Sequence, residues 1–156
     1  TGRLWRDVGA VHEESGVSLN NRTILFDCMQ GSLSDVSCVE GLSIQGAVRM
    51  LRRIDEIESR VPAAKLDCEN SDLIKRELLA TLAILRHAAR RAATMVTRRS
   101  GRRANRDLRW LARDIPRIID RHRDLWRARN RPGGLAHSLG YYRRNLGEYE
   151  RAVGIR

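Results

Sequence analysis

The residues of this chain with the chemistry for a site are few and scattered. His12, His87, His122 and His137 share no helix turn, and none stands in HExxH or HxH spacing, so no metal site is implied. No serine lies in a GxSxG context, and no glycine-rich loop leads into a phosphate-binding lysine. Cys28, Cys38 and Cys68 form no CxxC pair; an odd count suits reduced thiols, with a Cys38–Cys68 bridge as the alternative. Asp120 and Asp124, one helical turn apart, are the acid pair that burial could split for general acid–base work. Arg117, Arg121, Arg123 and Arg127 interleave them, which favours ordinary ion pairs on a helix surface. No catalytic residue and no cofactor follows from these patterns.

Two denser groupings remain. The first runs from Asp124 to Ser138, where Trp126, Arg127, Arg129, Asn130 and Arg131 crowd a helix end before Pro132, Gly133 and Gly134. Cations suit the negative pole of a helix, proline stops it and glycine supplies the turn, so local chemistry explains the sharp bend. Trp126 with Tyr141 offers aromatic faces for a pyranose ring, and Arg129 and Asn130 offer groups that read hydroxyls; Trp126, Arg129 and Asn130 are the candidate substrate-binding residues. The competing reading has Trp126 packing on the last helix and Arg129 tying down the turn.

The second grouping is Arg86–Arg113, with ten arginines against one acid, Asp107. Arginines at such density neutralise phosphates, and Arg90, Arg98 and Arg102 are the candidates for nucleic-acid contact. Against that stand a spread around the helices, a single stacking surface in Trp110 and the absence of any nucleic-acid-binding signature. A solvated face turned toward acidic neighbours in a larger protein is the leading reading of this run, with nucleic acid the alternative.

The elements that position these groups are helices. Leu4, Trp5, Val8 and Val11 share a face over 4–14. Gly16 ends that segment. Asn20-Asn21 can cap a short helix from Thr23 to Met29 with Ile24, Leu25 and Phe26 buried. Residues 30–42 read as a loop. Ser43 caps a helix to Val61 that steps through Ala47, Leu51, Ile54 and Glu58. The clearest stripe, from Leu73 and Ile74 to Ala92 and Val96, predicts a helix over 71–99. Another spans 103–129, burying Leu108, Leu111, Ile115, His122, Leu125 and Trp126, with Pro116 marking a kink or a restart near Asp114. The last runs from Ala136 to Val153, with Leu139, Tyr142, Leu146 and Tyr149 inward. No run shows the alternation of a strand. The expectation is all-α: a bundle of three long helices with smaller N-terminal helices, as one domain over 1–156.

The chain has 156 residues, enough for a real core, and 42% hydrophobic content argues against wholesale disorder. Residues 1–71 hold 8 basic and 11 acidic groups, giving −3, and residues 72–156 hold 22 and 8, giving +14. Only Lys65 and Lys75 among the 30 basic residues are lysines, a bias that GC-rich coding also produces. No apolar run reaches the roughly 20 residues of a membrane span, so no membrane partner is expected. A start at Thr1 suggests a piece of a longer protein, and a cytoplasmic location is the default expectation.

The turn grouping carries a resemblance. Trp126-x-x-Arg129-Asn130-Arg131-Pro132-Gly133-Gly134-Leu135-x-x-Ser138 resembles the motif that closes the C-terminal helical region of bacterial family 20-type glycoside hydrolases, the β-N-acetylhexosaminidase-like proteins. Leu85-Arg86-His87-Ala88-Ala89-Arg90-Arg91 is similar to a helix segment of those proteins. Asp7-Val8-Gly9-Ala10-Val11-His12, with Gly16, Asn21, Thr23, Leu25 and Phe26, resembles the segment leaving their barrel, with His12 where they would carry a tyrosine. The resemblance implies a parent enzyme with a TIM barrel that removes N-acetylhexosamine by an Asp-Glu pair: the Glu as general acid, the Asp orienting the acetamido group. No such pair occurs here, so no catalytic residue carries over. The chain would be a non-catalytic C-terminal helical domain whose partner is the catalytic barrel of the same protein, with a homo-oligomer possible. A helical adaptor with an exposed strip along Leu78, Leu82 and Leu85 is the third option.

Overall fold

The structure, a computed structural model, describes residues 2–131 and 133–154. Pro132, read above as the stop of a helix, lies outside the described residues. Among the described residues six α-helices follow one another: α1 Gly2–Gly9, α2 Ile24–Gln30, α3 Ile44–Arg60, α4 Ser71–Arg99, α5 Asn105–Arg129 and α6 Leu135–Val153. Two short 3-10 helices, Val11–Ser15 and Val36–Val39, sit between the early ones, and no strand occurs among the described residues. The fold is an all-α bundle.

α4 is its axis. It packs against α3 on one side and α5 on another, and α2 and the second 3-10 helix lean on its C-terminal half. α6 lies along α5 and also reaches α2. The sequence explains this placement. Over 29 residues α4 alternates leucines with small residues, and Leu78, Leu82, Ala88, Ala89, Ala92 and Met95 are buried. Alanines let neighbouring backbones approach, and α4 spends them where α2, α3 and α5 converge. Leu78 and Leu82 are buried and Leu85 is half-buried, so these three form no exposed strip of the kind that would favour an adaptor.

Ser43 caps α3 as its sequence suggests, its hydroxyl accepting from the Gly46 amide at 3.0 Å. At α2 the cap is Thr23, accepting from Phe26 N at 3.1 Å, not the Asn20-Asn21 pair. Asn21 instead takes a left-handed conformation, φ 59°, in the turn before it. The expected helix over 4–14 divides at Ala10 into α1 and a 3-10 helix that ends on Gly16, φ 73°. The expected loop over 30–42 contains the second 3-10 helix, and Leu33, Val39 and Leu42 enter the core from it. α3 buries Met50 and Ile57 beside Ala47 and Ile54; Leu51 and Glu58 are at its edge.

Two aromatic assignments are corrected. Trp5 and Phe26, expected inside, are 42% and 56% exposed. Helix α1 turns Leu4 and Val8 inward, and α2 turns Ile24, Leu25, Cys28 and Met29 inward, so the adjacent aromatic faces out in each. Pro116 causes no restart. α5 is helical through it, and Ile115, Ile118 and Ile119, buried on both sides, hold the turn by packing.

Candidate functional site

The turn between α5 and α6 brings the expected trio together and then occupies it. Trp126, Arg129 and Asn130 border one shallow depression with Glu77 and His122. Trp126 donates its indole N–H to the Arg131 carbonyl at 3.1 Å. Arg129 grips Glu77 of α4 with both arms of its fork, at 2.7 and 2.9 Å, and that hydrogen bond holds the Glu77 carboxyl below its ordinary range. The Asn130 amide closes α5 on the Trp126 carbonyl at 2.7 Å. Gly134 adopts φ 84°, a left-handed conformation that favours glycine, and a Cβ there would only touch the Trp126 ring, at 3.4 Å. His122 meets Ser138 of α6 at 2.8 Å, and burial lowers its pKa. Arg129 ties α5 to α4 and His122 ties it to α6, while the Trp126 indole N–H is taken up within the turn. Tyr141 is not beside Trp126. It lines a different groove, with Phe26 and Met29, between α2, α4 and α6.

The strongest polar cluster was invisible in the sequence. Arg91 is fully buried on α4 and donates to the Cys28 carbonyl at 2.6 Å, the Gly31 carbonyl at 2.8 Å and Glu148 of α6 at 2.8 Å. Asn145 and Arg144 of α6 donate to the Met29 and Gln30 carbonyls at 3.1 and 2.6 Å. The C-terminal carbonyls of α2 lack intrahelical partners, and three side chains from α4 and α6 supply them. Burial alone would raise the Glu148 carboxyl; the Arg91 guanidinium and the Leu33 amide override it and hold it low. Their spacing in sequence, from residue 28 to 148, leaves no local signal. Only the unbroken apolar pattern on both sides of Arg91 hints that it is inside.

Beside this cluster, His87 bridges Asp114 of α5 at 2.8 Å and the Tyr149 hydroxyl of α6 at 3.0 Å. The order Asp–His–Tyr has the form of a proton relay, but His87 and Tyr149 are both 0% exposed. Burial pushes His87 down against the pull of Asp114, and it pushes Tyr149 up to about 12. A neutral histidine and a protonated phenol, closed off from water, tie three helices together; no substrate reaches them.

The remaining candidates divide. Asp120 pairs with Arg123 at 2.8 Å on the surface, and Asp124 is exposed. The Cys38 thiol donates to the Asp35 carbonyl at 3.2 Å and approaches the Met95 sulfur at 4.0 Å. All three cysteines are free, so the alternative Cys38–Cys68 bridge is absent. No three His, Cys, Asp or Glu side chains gather as for a metal among the described residues, and no helix is long and apolar enough to cross a membrane. Of the three nucleic-acid candidates, Arg98 is half-buried, Arg102 sits in the α4–α5 turn and Arg90 is exposed. Arg90 lies 4.0 Å from the centre of the Trp110 ring, in a groove with Arg106, Arg109 and Arg113. No family model, curated protein or solved structure matches this chain.

Proposed function

We propose that this chain is a non-catalytic helical domain that completes a glycoside hydrolase of the β-N-acetylhexosaminidase type by packing on its TIM barrel. The resemblance of the Trp126–Ser138 stretch and of Leu85–Arg91 motivates the reading. The observation that carries it is the engagement of Trp126 and Arg129 in contacts within the chain, with the Asn130 backbone N–H closing the helix on the Trp126 carbonyl. A signature whose Trp126 is hydrogen-bonded within the turn and whose Arg129 ties α5 to α4 is an architectural signature. It fixes the shape of one domain, and a fixed shape is what a neighbouring domain needs for docking. His87, Tyr149, Arg91 and Glu148 serve the same end. The reading assigns acid–base chemistry to the barrel.

The experiment is release of nitrophenol from the nitrophenyl glycoside of N-acetylglucosamine by the purified 156-residue chain. No turnover above the uncatalysed rate is expected. Turnover that saturates with substrate and disappears in Asp114→Asn or His87→Gln would overturn the reading and place a catalytic centre in this chain.

A further inference from the structure

We propose that the groove between α4 and α5, lined by Arg90, Arg106, Arg109, Arg113 and Trp110, binds closely spaced phosphate groups. Of the ten arginines between residues 86 and 113, three are engaged elsewhere in the fold. Arg86 meets Asp55 and Glu58, Arg91 is buried on Glu148, and Arg99 donates to the Val39 carbonyl. The side chains of the other seven have no ion pair or hydrogen bond among the described residues, and four of them border this one concavity of about 610 Å³. The sequence suggests a spread around the helices; the antiparallel pairing of α4 with α5 gathers them instead.

The geometry is specific. Arg106, Arg109 and Arg113 follow at three and four residues along α5, which puts them on one stripe. Arg90 faces them from α4, its guanidinium 4.0 Å from the centre of the Trp110 ring. That contact limits the freedom of Arg90 before any ligand arrives. Trp110 is itself seated near the buried His87, ring centres 6.3 Å apart, so the aromatic support is anchored in the core. The groove opens at the first turn of α5, whose amides add to the positive field.

Charge selects the ligand class. Four arginines and Asp107 leave the lining at +3. A carboxylate brings one negative charge, whereas a phosphate monoester brings about 1.5 to 2 and three acceptor oxygens. Two or three linked phosphates match this lining in a space where as many carboxylates would fall short. Arginine forks bind such oxygens in pairs, which lysines do not. Successive stacking surfaces, the mark of single-strand binders, are lacking beyond Trp110. The phosphates themselves are therefore the recognised chemistry, whether they come from an inorganic chain or from a nucleic-acid backbone.

Titration calorimetry tests this at low and raised salt, with tripolyphosphate, a mixed-sequence single-stranded oligonucleotide and polyglutamate as probes. Tripolyphosphate should bind with affinity that falls as salt rises, weakening about tenfold for each of Arg106→Gln, Arg109→Gln and Arg113→Gln. These side chains are exposed, so the variants should unfold at the wild-type temperature. Arg127→Gln with Arg143→Gln removes two charges outside the groove, one more than any single groove variant, and should leave binding within twofold. Trp110→Leu removes no charge and should weaken binding by releasing Arg90. Tighter binding of the oligonucleotide would assign the source to a nucleic acid, and binding of tripolyphosphate alone to a free polyphosphate. No binding of tripolyphosphate, equal loss in the distant double variant, or polyglutamate bound as tightly would overturn the proposal. The last result would mark the groove as a docking surface for an acidic protein.

Discussion

Arg91 of α4 reaches Glu148 of α6 at 2.8 Å through the centre of the bundle, and the same guanidinium holds the end of α2. One buried side chain thereby fixes the relative positions of three helices. Removing it leaves the Cys28 and Gly31 carbonyls without that donor and takes from Glu148 its charged partner, leaving it the Leu33 amide. Arg91→Met should cost about 3–5 kcal/mol of unfolding free energy. Urea unfolding followed by circular dichroism measures it. Arg91→Met combined with Glu148→Leu should recover part of the loss, because the second change removes the stranded charge. Equal stability of Arg91→Met and wild type would show that the cluster does not hold the fold.

His87 makes the bundle sensitive to acid. Its pKa in the fold is depressed below the ordinary 6.5, chiefly by burial, so the unfolded chain takes up this proton more readily than the folded one. Stability from this residue is present above 6.5 and is lost as pH falls through the depressed folded value. The melting temperature should drop between about pH 7 and about pH 5, before ordinary carboxylates titrate. His87→Gln keeps hydrogen-bonding capacity toward Asp114 and Tyr149 but carries no titrating group, so its melting temperature should vary less over that interval. Parallel profiles for the two proteins would remove His87 from the account.

Gly46 tests the seat of α3. Alanine is ordinarily the better helix former by about 1 kcal/mol. Here a Cβ would press on the Ser15 carbonyl oxygen and approach Leu42 to 3.2 Å, and backbone cannot step aside as a side chain can. Gly46→Ala should therefore destabilise by about 1–3 kcal/mol despite the propensity gain. Chemical unfolding gives the sign directly. A more stable variant would mean that the 3-10 helix at Val11–Ser15 is free to move away.

At the α5–α6 turn, Gly134→Ala should cost about 1–2 kcal/mol, since its left-handed conformation disfavours any Cβ. Arg129→Ala should cost less, because its pair with Glu77 is solvent-accessible and screened by salt. Thermal unfolding of both variants, with N-acetylglucosamine present and absent, separates packing from ligand binding. Stabilisation of the wild type by the sugar, lost in Arg129→Ala, would restore these residues as a sugar site.

The helices were legible because their signals are local. The period of α4 gives its limits at 71 and 99, and Ser43 announces α3 three residues before the amide it caps. What was illegible depends on partners far along the chain. Arg91 looks like one more surface arginine until Cys28, Gly31 and Glu148 are seen around it. Phe26 looks like core until α2 is rotated by the burial of Leu25 and Met29. Trp126, Arg129 and Asn130 were legible as a cluster but not as one whose groups answer each other and Glu77. The Arg90 groove is the converse, a scatter in sequence that one helix pairing makes continuous.

The central claim, that this bundle completes a hexosaminidase-type barrel, is tested most directly by reading the coding sequence upstream of Thr1. The account predicts an open frame continuing into a TIM-barrel sequence that carries adjacent Asp and Glu at a strand end. A start codon immediately before Thr1, with no barrel in frame, would contradict it.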